Sequence, residues 1–463
     1  MTGLVSFLFI LAQTFITLDQ ALEIALSENV AVKVADKEIE RSEYAKRGTY
    51  ASLFPKIDGS AAFQRTIEKQ VMYMDFDMSS IMGGGSGTGT GSGSAGTGSS
   101  SSSSSSSKKD GMEVGRWNTF SAGVTASMPI VNLQLWESMK ISGQDVELAV
   151  EKARSSRLDM VSQVKNAFYA VLLAKQAHEV YKDVYDNAVA NYERTQMKYE
   201  AQKASDLDLA RAATTLANAV PNMYDSANSI ALALWQLKAV MGVDLEEDID
   251  VAVSLYDYAD DMTALYAEEE LSLENNTTMK QLSIQAEQLA SNIRMQKYSA
   301  LPSLALSFSY NYSAMANDFE FSQYRWTPYS YVAISLNIPI FAGGKRYNTI
   351  KAAQVQSDEL ALQKKDTERQ LKIALKKSVN TMATALRSFD AADKALEAAQ
   401  KAYDITEESY AVGSSTLTDL NDAQLALVQS KMTAAQSIYS YLTAKTSLEQ
   451  TLGMDYTTED NNE

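Results

Sequence analysis

The sequence predicts a mainly α-helical fold with a small β part: long helical hairpins and four β-strands, laid out as two tandem copies of one unit. Three observations predict it. A proline-free helical pattern runs from Gly344 to Gly413; at ~1.5 Å rise per residue it makes a rod about 100 Å long. Its apolar positions Leu375, Val379, Met382, Leu386, Phe389, Leu396, Ala399, Tyr403 and Tyr410 step by 3 or 4, broken only by Asp393 and Thr406. That alternation is a coiled-coil seam, which needs neighbouring rods. The second observation is repetition. Met128-Pro129-Ile130-Val131-Asn132 matches Ile338-Pro339-Ile340-Phe341-Ala342, and Asn29 to Pro55 has the spacing of Asn276 to Pro302. Tyr199, Ser205, Asp208, Leu209 and Met241-Gly242-Val243-Asp244 match Tyr410, Thr416, Asp419, Leu420 and Leu452-Gly453-Met454-Asp455 at one constant offset. The third is four stretches of period-two alternation, each beside a proline.

Residues 1–12 carry the apolar run Leu4 to Ala12, the h-region and small-residue end expected of a secretory signal peptide. The first structural repeat is placed at 13–244. Thr17-Leu18-Asp19-Gln20 reads as a capping box opening a helix that breaks near Asn29 and resumes to about Phe54. After Pro55 the residues Ile57, Gly59, Ala61 and Phe63 alternate with polar or small ones, as do Phe120, Ala122, Val124, Ala126 and Met128. Between them lies a Gly/Ser-rich loop, 83–111, including the serine run Ser99 to Ser107, which buries too little apolar surface to order itself. A long α-hairpin is expected at 132–242, its return helix carrying Pro221, where a kink is expected. An acidic inter-repeat linker follows at 245–275. The second repeat, 276–455, has a helix to about Ser299, a β-hairpin at 303–338 and a long α-hairpin at 344–453; residues 456–463 form a disordered tail. In the hairpin Leu304, Leu306, Phe308, Tyr310 and Tyr312 share one face with Val332, Ile334, Leu336 and Ile338. Pro55, Pro129, Pro302 and Pro339, with Gly343 and Gly344, mark the strand-to-helix corners and suggest one repeated corner geometry.

Composition excludes several functions. The 58 acidic against 41 basic residues leave a net charge of −17, the wrong sign for nucleic acid. With no cysteine and a single histidine, His178, read as a plain surface or packing residue, no cofactor, metal or catalytic constellation is expected, and the chain is not expected to be an enzyme. The glycines of the loop form no phosphate cradle, since no strand-loop-helix surrounds them.

Each strand has about 10 residues, the length a tilted strand needs to cross a bilayer, with lipid outside and water inside. Four strands cannot close a barrel, and open sheet edges in lipid leave backbone groups unpaired. The strands and the rods therefore both call for further copies, a cyclic oligomer of undetermined number.

The tandem copies, the Pro129-Ile130-Val131-Asn132-Leu133-Gln134-Leu135-Trp136 and Pro339-Ile340-Phe341-Ala342-Gly343-Gly344 corners, and the Tyr410-x-x-Gly413-x-x-Thr416-x-x-Asp419-Leu420 turn resemble the TolC-type outer membrane efflux proteins, from about Thr17 to Asp455. The resemblance implies a homotrimer in which four strands per protomer build a shared β-barrel continuous with a periplasmic α-helical barrel. It implies a passive exit duct in the outer membrane that docks a periplasmic adaptor and an inner-membrane pump of RND, ABC or MFS type. A soluble periplasmic coiled-coil adaptor is the alternative, though it calls for one helical hairpin and no lipid-facing strands. The resemblance also implies a periplasmic gate at the hairpin tips, formed by Tyr199, Asp208, Tyr410, Asp419 and Asp422. Asp419 and Asp422 lie i, i+3 on one helix face, and rings of such carboxylates favour cations; the other reading of these aspartates is charge at a helix N-terminus. The family's arginine in the second tip turn is replaced here by Ser415.

Overall fold

The structure, a computed structural model, describes residues 14–72, 112–260, 262 and 272–456. The expected signal peptide 1–12, the Gly/Ser-rich loop 83–111, part of the linker and residues 457–463 of the tail lie outside the described residues. Two compact units are formed, one helical (Met1–Thr49, Trp136–Tyr298 and Ala342–Glu463) and one β (Tyr50–Leu135 and Ser299–Phe341).

In the helical unit, β1 (Thr14–Ile16) leads into α1 (Leu18–Glu28) and α2 (Val30–Ala51). Thr17 and Gln20 close the capping box that the sequence signalled. The interruption at Asn29 is a joint in the packing: its amide donates to the Val240 carbonyl while its Oδ1 accepts from Ala31 N. The second repeat makes the same joint with Asn276, which donates to the Thr451 carbonyl and accepts from Met279 N. The duplication read from spacing is thus a duplication of hydrogen bonds.

The long hairpins are α3 (Leu133–Glu200) with α4 (Asp206–Met241), and α6 (Lys345–Val412) with α7 (Leu417–Leu452); α5 (Thr277–Tyr298) precedes the second. Both hairpins pair a 68-residue helix with a 36-residue one, as the tandem repeat requires. Helix α4 runs through Pro221 without interruption. His178 Nδ1 meets Ser226 Oγ at 2.9 Å, a packing contact between α3 and α4. The core gathers Leu22 and Ala25 of α1, Val164, Phe168 and Leu172 of α3, Leu237 and Met241 of α4, and Ile438 and Leu448 of α7, all fully buried or nearly so. Within the segment expected to be a linker, β6 (Ile249–Val251) pairs in parallel with β1. This element was not foreseen; three-residue strands carry too little periodicity to read, and Ile16, Ile249 and Val251 are fixed by burial.

The β unit holds β2 (Lys56–Arg65), β5 (Asn118–Val131), β7 (Ser303–Ala316) and β8 (Thr327–Asn337), an antiparallel sheet in the order β2-β5-β7-β8. A short ladder of β3 (Gln70–Met72) and β4 (Met112–Val114) sets Met72 opposite Met112. Register decides the faces, because residues opposite one another share a face. Ile57 lies opposite Ala126, Ala126 opposite Phe308, and Phe308 opposite Val332. Phe63, Phe120, Leu306, Ile334 and Leu336 fall on that same face, so the apolar rows read separately on four strands are one surface. Strands β2 and β8 stand at the two edges of the sheet.

The corners do not share one geometry. Pro55 and Pro302 each precede a strand directly, and Pro339 follows the end of β8. Pro129 instead lies inside β5, opposite Ala305, where the register shifts before Val131. The β2 ladder ends at Ser127, so the missing N–H of Pro129 costs no bond on that side. Helix α3 then starts with Leu135 N donating to Asn132 Oδ1, whereas α6 starts from Gly343 and Gly344 at φ 58° and 77°.

Candidate gate at the helical hairpin tips

Each tip is a left-handed residue followed by a capping box. Gly413 (φ 84°) ends α6, and its counterpart Gln202 (φ 58°) follows α3. A non-glycine residue there costs about 1–2 kcal/mol, so the first turn stores strain that the second lacks. Ser205 caps α4 through Asp208, and Thr416 caps α7 through Asp419, the side chain and backbone of each pair bonding reciprocally.

These bonds show how one aspartate can both cap and carry charge outward. Thr416 N, Thr416 Oγ1 and Ser415 Oγ donate to Asp419 at 2.9, 2.6 and 3.2 Å, and all three reach Oδ2. Ser205 N and Oγ likewise reach only Oδ2 of Asp208. The bond from the Thr416 hydroxyl, then that from its backbone N–H, holds the Asp419 carboxyl below its ordinary value; the Ser205 hydroxyl does the same for Asp208. Both carboxylates stay ionised and keep Oδ1 clear of the cap. Asp422 lies on α7 one turn beyond Asp419 and is exposed. The counterpart of Asp422 in the first repeat is Arg211, so the first tip does not repeat the acidic pair.

The two tyrosines are placed differently. Tyr410 is buried, with its hydroxyl 3.0 Å from Thr195 Oγ1. Lys198 Nζ donates to the Tyr410 carbonyl at 3.2 Å and lies 4.6 Å from the centre of its ring. Tyr199 is more exposed, and the neighbouring Asp206 carboxylate pushes its hydroxyl above the ordinary tyrosine value. Around Tyr410 a local core of Ala212, Tyr403, Leu417, Leu420 and Leu427 joins both hairpins. Burial, reinforced by Glu407, pushes the Tyr403 hydroxyl up to about 12. Thr195 and Lys198 escaped the sequence reading. The available signal was Thr406, a polar break in the seam of the second repeat, because Thr195 stands at the matching position of the first.

Each tip is thus a capped turn on a long helical hairpin with one carboxylate oxygen turned away from the cap, and the sheet, apolar on one face, stands open at both edges. No groups of His, Cys, Asp and Glu that could hold a metal ion occur among the described residues, and no described helix is long and apolar enough to cross a membrane.

The sequence profile of the family described as "Outer membrane efflux protein" matches residues 91–243 and 270–454. The chain belongs to that family. The outer membrane protein TolC of Vibrio cholerae is 20% identical over 344 residues, covering 72% of this chain and 76% of that protein. TolC of Escherichia coli is 21% identical over 349 residues, covering 73% and 70%. Among solved structures, the Campylobacter jejuni CmeC outer membrane channel superposes with a TM-score of 0.72 at 17% identity, covering 94% of this chain and 85% of its own. VceC of Vibrio cholerae gives 0.71 at 15%, covering 94% and 96%. These likenesses fix the fold. Membership makes the protein an outer-membrane efflux channel, a transport duct rather than an enzyme. It sets aside the soluble adaptor.

Proposed function

We propose that three copies of this chain close one twelve-stranded barrel in outer-membrane lipid and one periplasmic helical tunnel, and that the tunnel docks a periplasmic adaptor and an inner-membrane pump. The observation that carries this reading is the sheet: its four apolar rows are in register on one face, and strands stand open at both edges. In hydrocarbon an unpaired edge costs several kcal/mol per backbone group, so β2 of one copy has to meet β8 of the next. TolC homologues are named as outer membrane proteins and CmeC as an outer membrane channel, which supports the same site of action. The substrate passes through without chemistry, and choice of substrate belongs to the pump.

In this reading Asp419 and Asp422, with Asp208, ring the periplasmic end of the tunnel, and Tyr410 and Tyr199 hold the tips together. The test is extraction of the full chain in detergent followed by mass measurement of the protein–detergent particle. A trimer mass is expected; a monodisperse monomer extracted without detergent would refute the proposal.

A further inference from the structure

The two repeats place different side chains on the apolar face of the sheet. Register allows the comparison residue by residue, because Gly59 and Ala61 pair with Val124 and Ala122 as Leu306 and Phe308 pair with Ile334 and Val332. Where the second hairpin carries Leu306, Phe308 and Val332, the first therefore carries Gly59, Ala61 and Ala122. A methyl built on Gly59 would meet no atom within 4 Å, so no described neighbour keeps this position small. Tyr310 and Tyr312 of β7 stand opposite Val124 and Ala122, and their rings meet edge to face with centroids 5.5 Å apart. The result is an open apolar groove of about 630 Å³, floored by the small residues and walled by Tyr310, Tyr312 and Trp326.

The groove runs toward the loop end of the sheet. There the Phe63 ring stacks on Phe120 at 4.8 Å and lies 6.0 Å from Phe319, and Phe120 meets Phe321 at 5.2 Å. Phe63, Phe319 and Phe321 are each more than half exposed, and a contiguous apolar patch left bare marks a surface that meets apolar matter. Arg65 stands beyond the cluster, its guanidinium 5.9 Å from the centre of the Phe319 ring, and Arg325 adjoins Trp326. Both arginines are exposed. Arg65 lies six residues beyond Gly59, about 20 Å of strand at ~3.3 Å per residue. Tilted by about 40°, that strand covers roughly 15 Å of depth, half of a hydrocarbon core of ~30 Å.

We propose that this groove seats one acyl chain of a membrane lipid whose phosphate headgroup is held by Arg65 and Arg325, one such lipid to each copy of the chain. The depth from Arg65 to Gly59 is that of one leaflet, so an acyl chain anchored at the arginines ends its run beside the glycine. The guanidinium fork matches phosphate oxygens. Tyr324 and Trp326 flank Arg325, and rings of that kind, apolar with one polar edge, favour the level of the headgroups. Glu68, Asp318 and Glu320 share the rim, so the attraction comes from the two arginines at short range rather than from net charge.

The site rests on the bilayer placement of the sheet proposed above, and the test keeps the two apart. The chain has four tryptophans; Trp117→Phe, Trp136→Phe and Trp235→Phe leave Trp326 as the reporter. The full chain is reconstituted in phosphatidylcholine bilayers containing a rising share of phosphatidic acid, or of phosphatidylcholine, brominated in mid-chain. Both should quench the fluorescence, with half-maximal quenching at a share of phosphatidic acid lower by about fivefold for each arginine. Arg65→Gln with Arg325→Gln should bring the two titrations together. Gly59→Leu with Ala61→Phe, the residue types at the matching positions of the second hairpin, should do the same with both arginines in place. Titrations that already coincide in the unfilled chain, or a preference that survives the filling, overturn the groove while the bilayer placement stands. No quenching by either lipid overturns both. Native mass spectra of the chain with its tryptophans intact, titrated with phosphatidic acid in detergent, give a second measurement: one bound lipid per copy supports the site, and adducts unchanged in number by the filling refute it.

Discussion

Removing the Tyr410 hydroxyl should loosen the tip, and the structure gives the size of the effect. Tyr410 Oη and Thr195 Oγ1 are 3.0 Å apart in a buried site, with Thr195 1% exposed. Tyr410→Phe leaves the threonine hydroxyl without its partner, at about 1–3 kcal/mol. If that contact is made only in the closed tip, the opening equilibrium shifts about 5- to 150-fold. Thr195→Val orphans the tyrosine instead and should cost a similar amount. The double variant replaces both partners by apolar groups of nearly the same shape, which is close to neutral, so most of the stability should return. Lys198 bonds the Tyr410 carbonyl in all these variants, which isolates the hydroxyl pair. Hydrogen exchange across 405–425 reads local opening, and single-channel recording in planar bilayers reads its consequence for conductance. Single variants without effect, or a double variant whose loss equals the sum of the singles, would refute the reasoning.

Replacing Asp419 and Asp422 together by alanine should lower cation preference in bilayer reversal potentials, while Asp419→Asn, which keeps an acceptor for Thr416, should lose charge but retain the cap; unaltered selectivity would remove these residues from the gate. Gly453→Ala and Gly413→Ala share a left-handed backbone cost of about 1–2 kcal/mol. Only at Gly453 would the new methyl also meet backbone, 2.2 Å from the Asn275 carbonyl oxygen, adding about 1–3 kcal/mol of overpacking, so urea titration should show the larger loss there. The Asp208 and Asp419 carboxyls titrate lower in the fold than in the open chain. Their contribution is therefore complete above the unfolded value of about 3.9 and is lost as pH falls through the folded values. Protection of the tip amides, corrected for intrinsic exchange, should decline below about pH 4 and stay flat above it.

The rods, the tandem repeat and the strand faces were legible because each rests on periodicity sustained over many residues. The seam through Leu375, Met382 and Phe389 could only be a long helix, and alternation from Leu304 to Tyr312 could only be a strand with one apolar face. Pro129 was misjudged for an equally physical reason. Its motif matches Pro339, but β5 has a partner in β7 beyond the point where the β2 ladder stops, whereas β8 lies at an edge; the neighbour decides whether the chain there pairs. The short β1 and β6 lacked a readable period. The Tyr410 environment lay beyond a single-repeat reading, since Thr195 and Lys198 reach it from the other hairpin across more than two hundred residues of sequence.

That crossing bears on the replacement of an arginine by Ser415. The second tip turn offers no cation of its own, yet Lys198 from the first hairpin holds both the ring and the carbonyl of Tyr410. An ammonium over an aromatic face contributes roughly 0.5–2 kcal/mol depending on desolvation, and the charge-assisted bond to the carbonyl adds to it. The cation at the second tip comes from the first repeat. Around the first tip Lys198, Lys203 and Arg211 stand among Glu200, Asp206 and Asp208, while the second carries Glu407, Glu408, Asp419 and Asp422. The contacts of Tyr410 with Thr195 and Lys198 join the two repeats, so loosening this tip requires one hairpin to move past the other.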